Sequence, residues 1–263
     1  MTAATQRQPV LADELLHIIR QAIRDHPRSQ QTRIGPSEIG IECDRRIAHK
    51  LLGTPPVNDR GAPWLPTVGT AVHAWLDDVF SRDTLPAIKA GQAPRWLVER
   101  KVTTGQVAGE DIDGACDLYD TITGTSVDWK VVGKTKLLDV RRHGPGQQYK
   151  VQGHCYGRGW VAKGYPVNDV AVFFLPRNEE LDGAVWWSEP YDEQVAVEAL
   201  ARVEAIGLAC KALGPAAAGV MKTADAYCGY CPHFRIDATN LTTACPGDPA
   251  RPKRNDSIRS LIA

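Results

Sequence analysis

The chain lacks a net charge, a long apolar run and an even count of cysteines. Its 31 basic residues balance 31 acidic ones, so the total charge assigns no partner of either sign. No stretch approaches the roughly 18 apolar residues that a membrane span needs. Met1 to Gln8 is polar, without the basic-then-apolar order of a secretory signal. A cytoplasmic protein with no membrane partner is the expectation. Seven cysteines, an odd number without a signal, argue against a secreted disulfide framework. The phosphate-cradling G-x-x-x-x-G-K-[ST] loop is missing as well. What is there suits a globular protein: 263 residues, 43% hydrophobic and 24% charged, enough to bury a sizeable core. Collagen-like and mostly disordered classes are excluded.

Hydrophobic periodicity predicts helices over 10–24, through Cys43 to about Leu52, over 67–80, over 147–162 and over 192–213. Gly53 to Pro66 reads as a Pro-rich loop, and a second loop reaches Pro94. Strands are predicted over 96–104, 112–119, 126–132, 170–175 and 184–188, with a hairpin at Thr123-Gly124-Thr125. Helices around a central run of strands make a mixed α/β domain. No long linker interrupts it, so one domain over 1–263 is expected. Its core spans about 67–190, and 249–263 forms a basic tail.

The chemistry concentrates in Gly114-Ala-Cys-Asp117 and Asp128-Trp129-Lys130. Alternate strand residues share a face, so Asp128 and Lys130 point one way and Trp129 the other. Pairing of the two segments brings Asp117 near Asp128, and two carboxylates suit a hard cation such as Mg²⁺ or Mn²⁺. A lysine beside them can orient a metal-bound water and offset phosphate charge. A lone D-x-K triplet is commonly an exposed ion pair, but Val127, Trp129, Val131 and Val132 mark this strand as entering a core. His73, in the apolar helix Gly69-Thr-Ala-Val-His73, is either a satisfied core histidine or a ligand. Gln152 and Tyr156 share a helix face, with Gln148 one turn earlier.

Taken together and in this order, G-T-A-x-H, G-x-x-D, D-W-K and Q-x-x-x-Y resemble the PD-(D/E)XK nuclease superfamily. The match is to its RecB-like branch, which includes the RecB and AddB nuclease domains and CRISPR-associated exonucleases. The resemblance spans Gly69 to Tyr156. It implies a restriction-endonuclease-like mixed central sheet flanked by helices. It also implies a metal-dependent DNA exonuclease acting on single strands or DNA ends in replication, recombination, repair or CRISPR adaptation. His73, Asp117, Asp128 and the Trp129 carbonyl would bind Mg²⁺ or Mn²⁺, and Lys130 would assist the attacking water. Gln152 and Tyr156 would support the site, and Glu99 is a weaker candidate.

Iron–sulfur members of this branch place one cysteine before the core and three after it, two of them as C-x-x-C. Cys43, Cys228, Cys231 and Cys245 match that plan for a [4Fe-4S] cluster joining segments 35–52 and 220–248. The 13 residues between Cys231 and Cys245 are longer than the branch's usual spacing, and a structural Zn²⁺ is the rival. Cys116, Cys155 and Cys210 read as core residues.

One charge asymmetry remains. Lys130 to Lys163 holds eight basic residues and one acid, a +7 window suited to a polyanion or to a solvated face. Lys134, Lys136, Arg141 and Arg142 are the expected DNA phosphate contacts, and Tyr149 the base-stacking residue. Members of the branch act with a helicase, a recombination protein or a CRISPR integrase. The alternative to an enzyme is therefore a DNA-binding accessory subunit of such a complex.

Overall fold

A computed structural model describes residues 4–27 and 31–250, with side chains from Leu11 onward. Its helices are α1 (Ala4–Asp25), α2 (Pro36–Ile39), α3 (Asp44–Leu51), α4 (Trp64–Lys89), α5 (Lys134–His143), α6 (Gln147–Ala162), α7 (Glu193–Leu213) and α8 (Ala217–Val220). Strands β1 (Trp96–Val107), β2 (Glu110–Asp120), β3 (Thr125–Val132), β4 (Asp169–Pro176) and β5 (Val185–Pro190) form one sheet in chain order. By contact the chain divides into two compact units. One holds Met1–Gly40 and Arg60–Glu204, the other Ile41–Asp59 and Ala205–Ala263.

The first unit carries the sheet. β1, β2 and β3 are antiparallel neighbours, β3 and β4 are parallel, and β5 returns antiparallel to β4. The β2–β3 turn closes on Asp120, whose carboxylate accepts the Ile122 amide at 3.1 Å and the Thr123 hydroxyl at 2.9 Å. A parallel pair needs a long crossover, and α5 with α6 supplies it. Both faces of the sheet are covered. Leu76 of α4, with Val72 and Phe80, packs on Leu118, Val127, Trp129 and Ala171. Tyr156 and Trp160 of α6 pack on Leu97, Val102, Cys116 and Tyr119. The period-2 alternation of β3 therefore sends Val127 and Trp129 toward α4.

Helix α6 lies close to the sheet because it carries glycines on its inner face. A Cβ on Gly159 would stand 2.7 Å from Val102 Cβ, nearer than carbon atoms approach without a shift.

The second unit holds α3, α8 and the segment after α8. Helix α3 packs against α8, and Ile41, Ile47, Ala48, Ala217 and Ala218 are buried.

Several elements depart from the periodicity reading. Helix α4 runs through the predicted loop to Lys89 although Pro86 lies inside it. Proline there removes one hydrogen bond in the last turn, while buried Thr84 ties that turn to β1 through Trp96 O at 3.5 Å. Helix α5 is masked in the sequence by its run of basic residues, and only Leu137 and Val140 of it are buried. The apolar stripe of α1 is not a core face, since Leu11, Leu15, Ile18 and Ile19 are exposed. The span Glu193–Val220 is long and apolar enough to cross a membrane, with a mean hydropathy of 1.3. That amends the reading that no stretch approaches a span, although buried Ala196, Val203 and Ile206 equally suit a core helix. Most of the predicted basic tail, residues 251–263, lies outside the described residues.

Candidate active site and cysteine cavity

The register of the β2–β3 hairpin assembles the acidic centre. Leu118 pairs with Val127, which carries Asp117 alongside the start of the D-W-K triplet. Asp117 Oδ2 accepts the Trp129 amide at 2.7 Å, and Asp117 Oδ1 lies 3.2 Å from His73 Nδ1 of α4. Asp128 is held from two sides: Gln152 Nε2 of α6 donates to Oδ1 at 2.8 Å, and Lys130 Nζ pairs with Oδ2. Asp117, Asp128 and Gln152 are buried. They line an open cleft together with His73, Glu99, Lys130, Tyr156 and the start of α2 at Gly35 to Ser37. Gly114 of the G-x-x-D motif has a local reason here. A Cβ on it would meet Pro36 Cγ at 2.7 Å and Tyr156 Cε1 at 3.0 Å, closing the floor of the cleft.

Two residues join this centre more firmly than the sequence suggests. Ligand atoms of His73, Glu99 and Asp117 lie within 4.8 Å of one another, a group able to hold a metal ion, and Asp128 is not one of the three. Glu99 sits in β1 with φ +47, a left-handed conformation uncommon for glutamate, and the β1–β2 pairing passes over it. Spacing alone gives no signal for that turn of the backbone. Asp77 lies one helical turn after His73, and its Oδ1 is buried without a hydrogen-bond partner among the described residues. The i,i+4 relation to His73 is its only trace in the sequence.

Charge and burial compete throughout. Burial pushes Asp128 up to about 6, with the Asp117 carboxylate adding to it and Lys130 opposing. Burial works against charge on Lys130, but Asp128 and Asp117 outweigh it and raise the ammonium. The same contest on His73 is won by Asp117, so its imidazole is raised. Burial, then the Asp117 charge, raises Asp77. Tyr156 is raised well above the ordinary phenol, by burial first and then by Asp128, and stays neutral.

The expected nucleic-acid residues are mostly engaged within the fold. Lys134 pairs with Glu179 at 2.7 Å, Lys136 with Asp139 at 2.8 Å, and Arg141 donates to Gly183 O at 2.7 Å. Lys150 and Arg158 meet Glu189 at 3.1 Å and Glu193 at 3.2 Å. Acids from distant sequence thus offset much of the +7 window. Arg142 is exposed. The Tyr149 ring is half-buried against Phe174 and flanked by Lys130 and Lys136 at 5.5 and 5.9 Å, so it is not an open stacking platform. Gln148 donates to Ser37 O at 2.7 Å, a tie between α6 and the α2 turn. The Trp129 ring stacks on Phe80 at 5.5 Å.

In the second unit, Cys43, Cys228, Cys231 and Cys245 line one cavity with Arg46 and His49. The long spacing before Cys245 is accommodated by a loop that returns. Cys245 N–H donates to His233 O at 2.7 Å, Arg235 N–H donates to Cys245 O at 2.9 Å, and Phe234 forms a parallel bridge with Cys245. The chemistry of the donor set fits a thiolate-bound metal group. Cys116, Cys155 and Cys210 are buried away from this cavity. Burial pushes the Cys116 and Cys155 thiols up to about 12, as suits core residues.

No protein-family model and no curated protein matches the chain. Among solved structures it is similar to a protein described as SSO0001, at 12% identity and a TM-score of 0.48, over 89% of this chain and 98% of that one. It is also similar to the alkaline exonuclease LHK-Exo from Laribacter hongkongensis, at 14% identity and a TM-score of 0.40, over 68% and 87%. The same enzyme in complex with dAMP gives 14% and 0.34, over 66% and 89%. All three TM-scores fall below 0.5, so any function has to be argued from the geometry of the site.

Proposed function

We propose that this chain is a divalent-metal-dependent DNA nuclease of the PD-(D/E)XK type, and within it an exonuclease of the RecB-like iron–sulfur branch. One observation carries the reading. Asp117, Asp128 and Lys130 from two paired strands meet His73 from α4 in a single open cleft. The ordered motifs support the finer assignment to the branch, to DNA as substrate, and to work beside a helicase, recombination or CRISPR adaptation protein.

His73, Glu99, Asp117 and Asp128 would hold Mg²⁺ or Mn²⁺, hard cations that favour oxygen and imidazole ligands. When bound, such an ion supplies Lewis-acid stabilisation and a water of lowered pKa. Lys130 keeps its proton on Nζ beside Asp128 and presents positive charge to a phosphodiester in the cleft. Gln152 fixes Asp128 Oδ1, leaving the other oxygen to Lys130. Tyr156 contributes a neutral hydroxyl.

The four thiols would hold a [4Fe-4S] cluster. One C-x-x-C pair with two single cysteines, one before the core and one after, supports a multi-iron group, and a structural zinc, which also takes four thiolates, is the rival.

The test is degradation of end-labelled single- and double-stranded DNA by anaerobically purified protein with Mn²⁺, Mg²⁺ or EDTA. Metal-dependent cleavage abolished by Lys130→Ala is the expected result. DNA binding without cleavage under any metal would overturn the enzyme in favour of an accessory subunit.

A further inference from the structure

The four cysteines do not have equivalent surroundings. Cys245 Sγ faces two donors, Arg45 Nη1 at 3.6 Å and the Gly247 amide at 3.4 Å. Cys228 Sγ lies 4.0 Å from a carbonyl oxygen, Ala224 O, and is also reached by the Asp248 amide. Cys231 has the His233 amide and the Arg46 charge nearby, so the direct guanidinium contact is what sets Cys245 apart. Arg45 is itself fixed. Its Nε donates to Ala218 O at 2.8 Å and its Nη2 to Gly219 O and Met221 O, both at 3.3 Å. Its amide donates to Lys222 O at 3.1 Å. Three carbonyls therefore occupy one side of the guanidinium fork and leave Nη1 for the sulfur. Guanidinium stays charged at every accessible pH, and a charged donor binds a thiolate more strongly than a neutral one.

We propose that Arg45 is the positioning residue for the Cys245 thiolate and holds the reduction potential of the bound cluster up. The inference rests on the reading that the four cysteines carry an iron–sulfur cluster. Reduction adds an electron to the cluster, and a fixed positive donor on one ligand sulfur favours that more negative state. The carbonyl contacts tie the same side chain to the α8 end, so orientation and charge come from one residue.

The experiment uses full-length protein reconstituted anaerobically with iron and sulfide, as wild type, Arg45→Met, Arg45→Gln and Arg45→Lys. Midpoint potentials come from dye-mediated titration followed by electron paramagnetic resonance, and Fe–S stretching bands from resonance Raman. The expected result is a lower potential in Arg45→Met and Arg45→Gln, partial recovery in Arg45→Lys, and a shift of one Fe–S(Cys) band. Should Arg45→Met lose the cluster, Arg45→Gln carries the same expectation, because it keeps an N–H donor for the carbonyls while removing the charge. A purely structural role would change cluster occupancy or Tm and leave the potential of the retained cluster alone, and equal potentials would overturn the proposal. Wild type that takes up no iron and sulfide overturns the cluster reading and this one with it, before any variant is compared.

Discussion

Gln152 donates to Asp128 Oδ1 at 2.8 Å across 24 residues of sequence, so the crossover helix α6 orients the carboxylate that β3 presents. Asp128 is buried, and a buried carboxylate without a second tie would turn toward Lys130 alone. The hydrogen bond keeps one oxygen on the helix side and the other on the lysine side.

Gln152→Ala should therefore act through Asp128. Loss of such an outer partner typically costs about 10–100-fold in metal affinity or activity. The measurement is cleavage rate against Mn²⁺ concentration, with the midpoint moved upward and DNA affinity in EDTA unchanged.

Glu99→Gln removes one of three ligand atoms gathered within 4.8 Å. A carboxamide keeps the shape and loses the anionic oxygen that a hard cation prefers. Weaker Mn²⁺ binding by calorimetry is expected, with the fold's Tm retained. Unchanged Mn²⁺ affinity would remove Glu99 from the site.

Gly159→Ala sets two effects against each other. Alanine is favoured over glycine in a helix by about 1 kcal/mol. The new methyl would stand 2.7 Å from Val102 Cβ, and overpacking of that kind costs about 1–3 kcal/mol. Crowding wins, and chemical denaturation should show a lower midpoint for the variant.

His49 and His233 stack with ring centroids 4.7 Å apart, and both are buried. Burial, then Arg45, lowers His49. Burial, followed by His49 and nearby basic side chains, pulls His233 down to about 4. Both native values lie below that of an unfolded histidine, about 6.5. Between pH 6.5 and 4 the unfolded chain binds more protons, so stability falls as pH falls through that window and is retained above it. Protection of the α3 amides, taken as exchange relative to the intrinsic rate at each pH, should fall from pH 7 to 4, and His233→Phe should flatten the dependence.

Arg142 is exposed on α5, whereas Lys134 is paired with Glu179 at 2.7 Å. Arg142→Ala, by removing one cation from the phosphate backbone, should lower the salt slope of DNA binding by about 1. Lys134→Ala should change it less. Equal slopes for both variants would show that the ion pair does not shield Lys134 from DNA.

The candidate set is legible in the sequence where backbone geometry is local. Period-2 alternation determined that Asp128 and Lys130 share a face opposite Trp129, and the short Thr123–Thr125 turn brought Asp117 to them. Helical spacing gave Gln152 and Tyr156 a common face. Three features belong to tertiary structure alone. Glu99 reaches His73 and Asp117 through a left-handed backbone that its strand sequence does not announce. Cys245 returns to the cysteine cavity through a bridge at Phe234. The basic window loses much of its charge to Glu179, Glu189 and Glu193, which come after it in sequence and meet it only in space. Periodicity is written into neighbouring residues by the geometry of strand and helix, whereas these contacts depend on which distant segments the packed fold brings together.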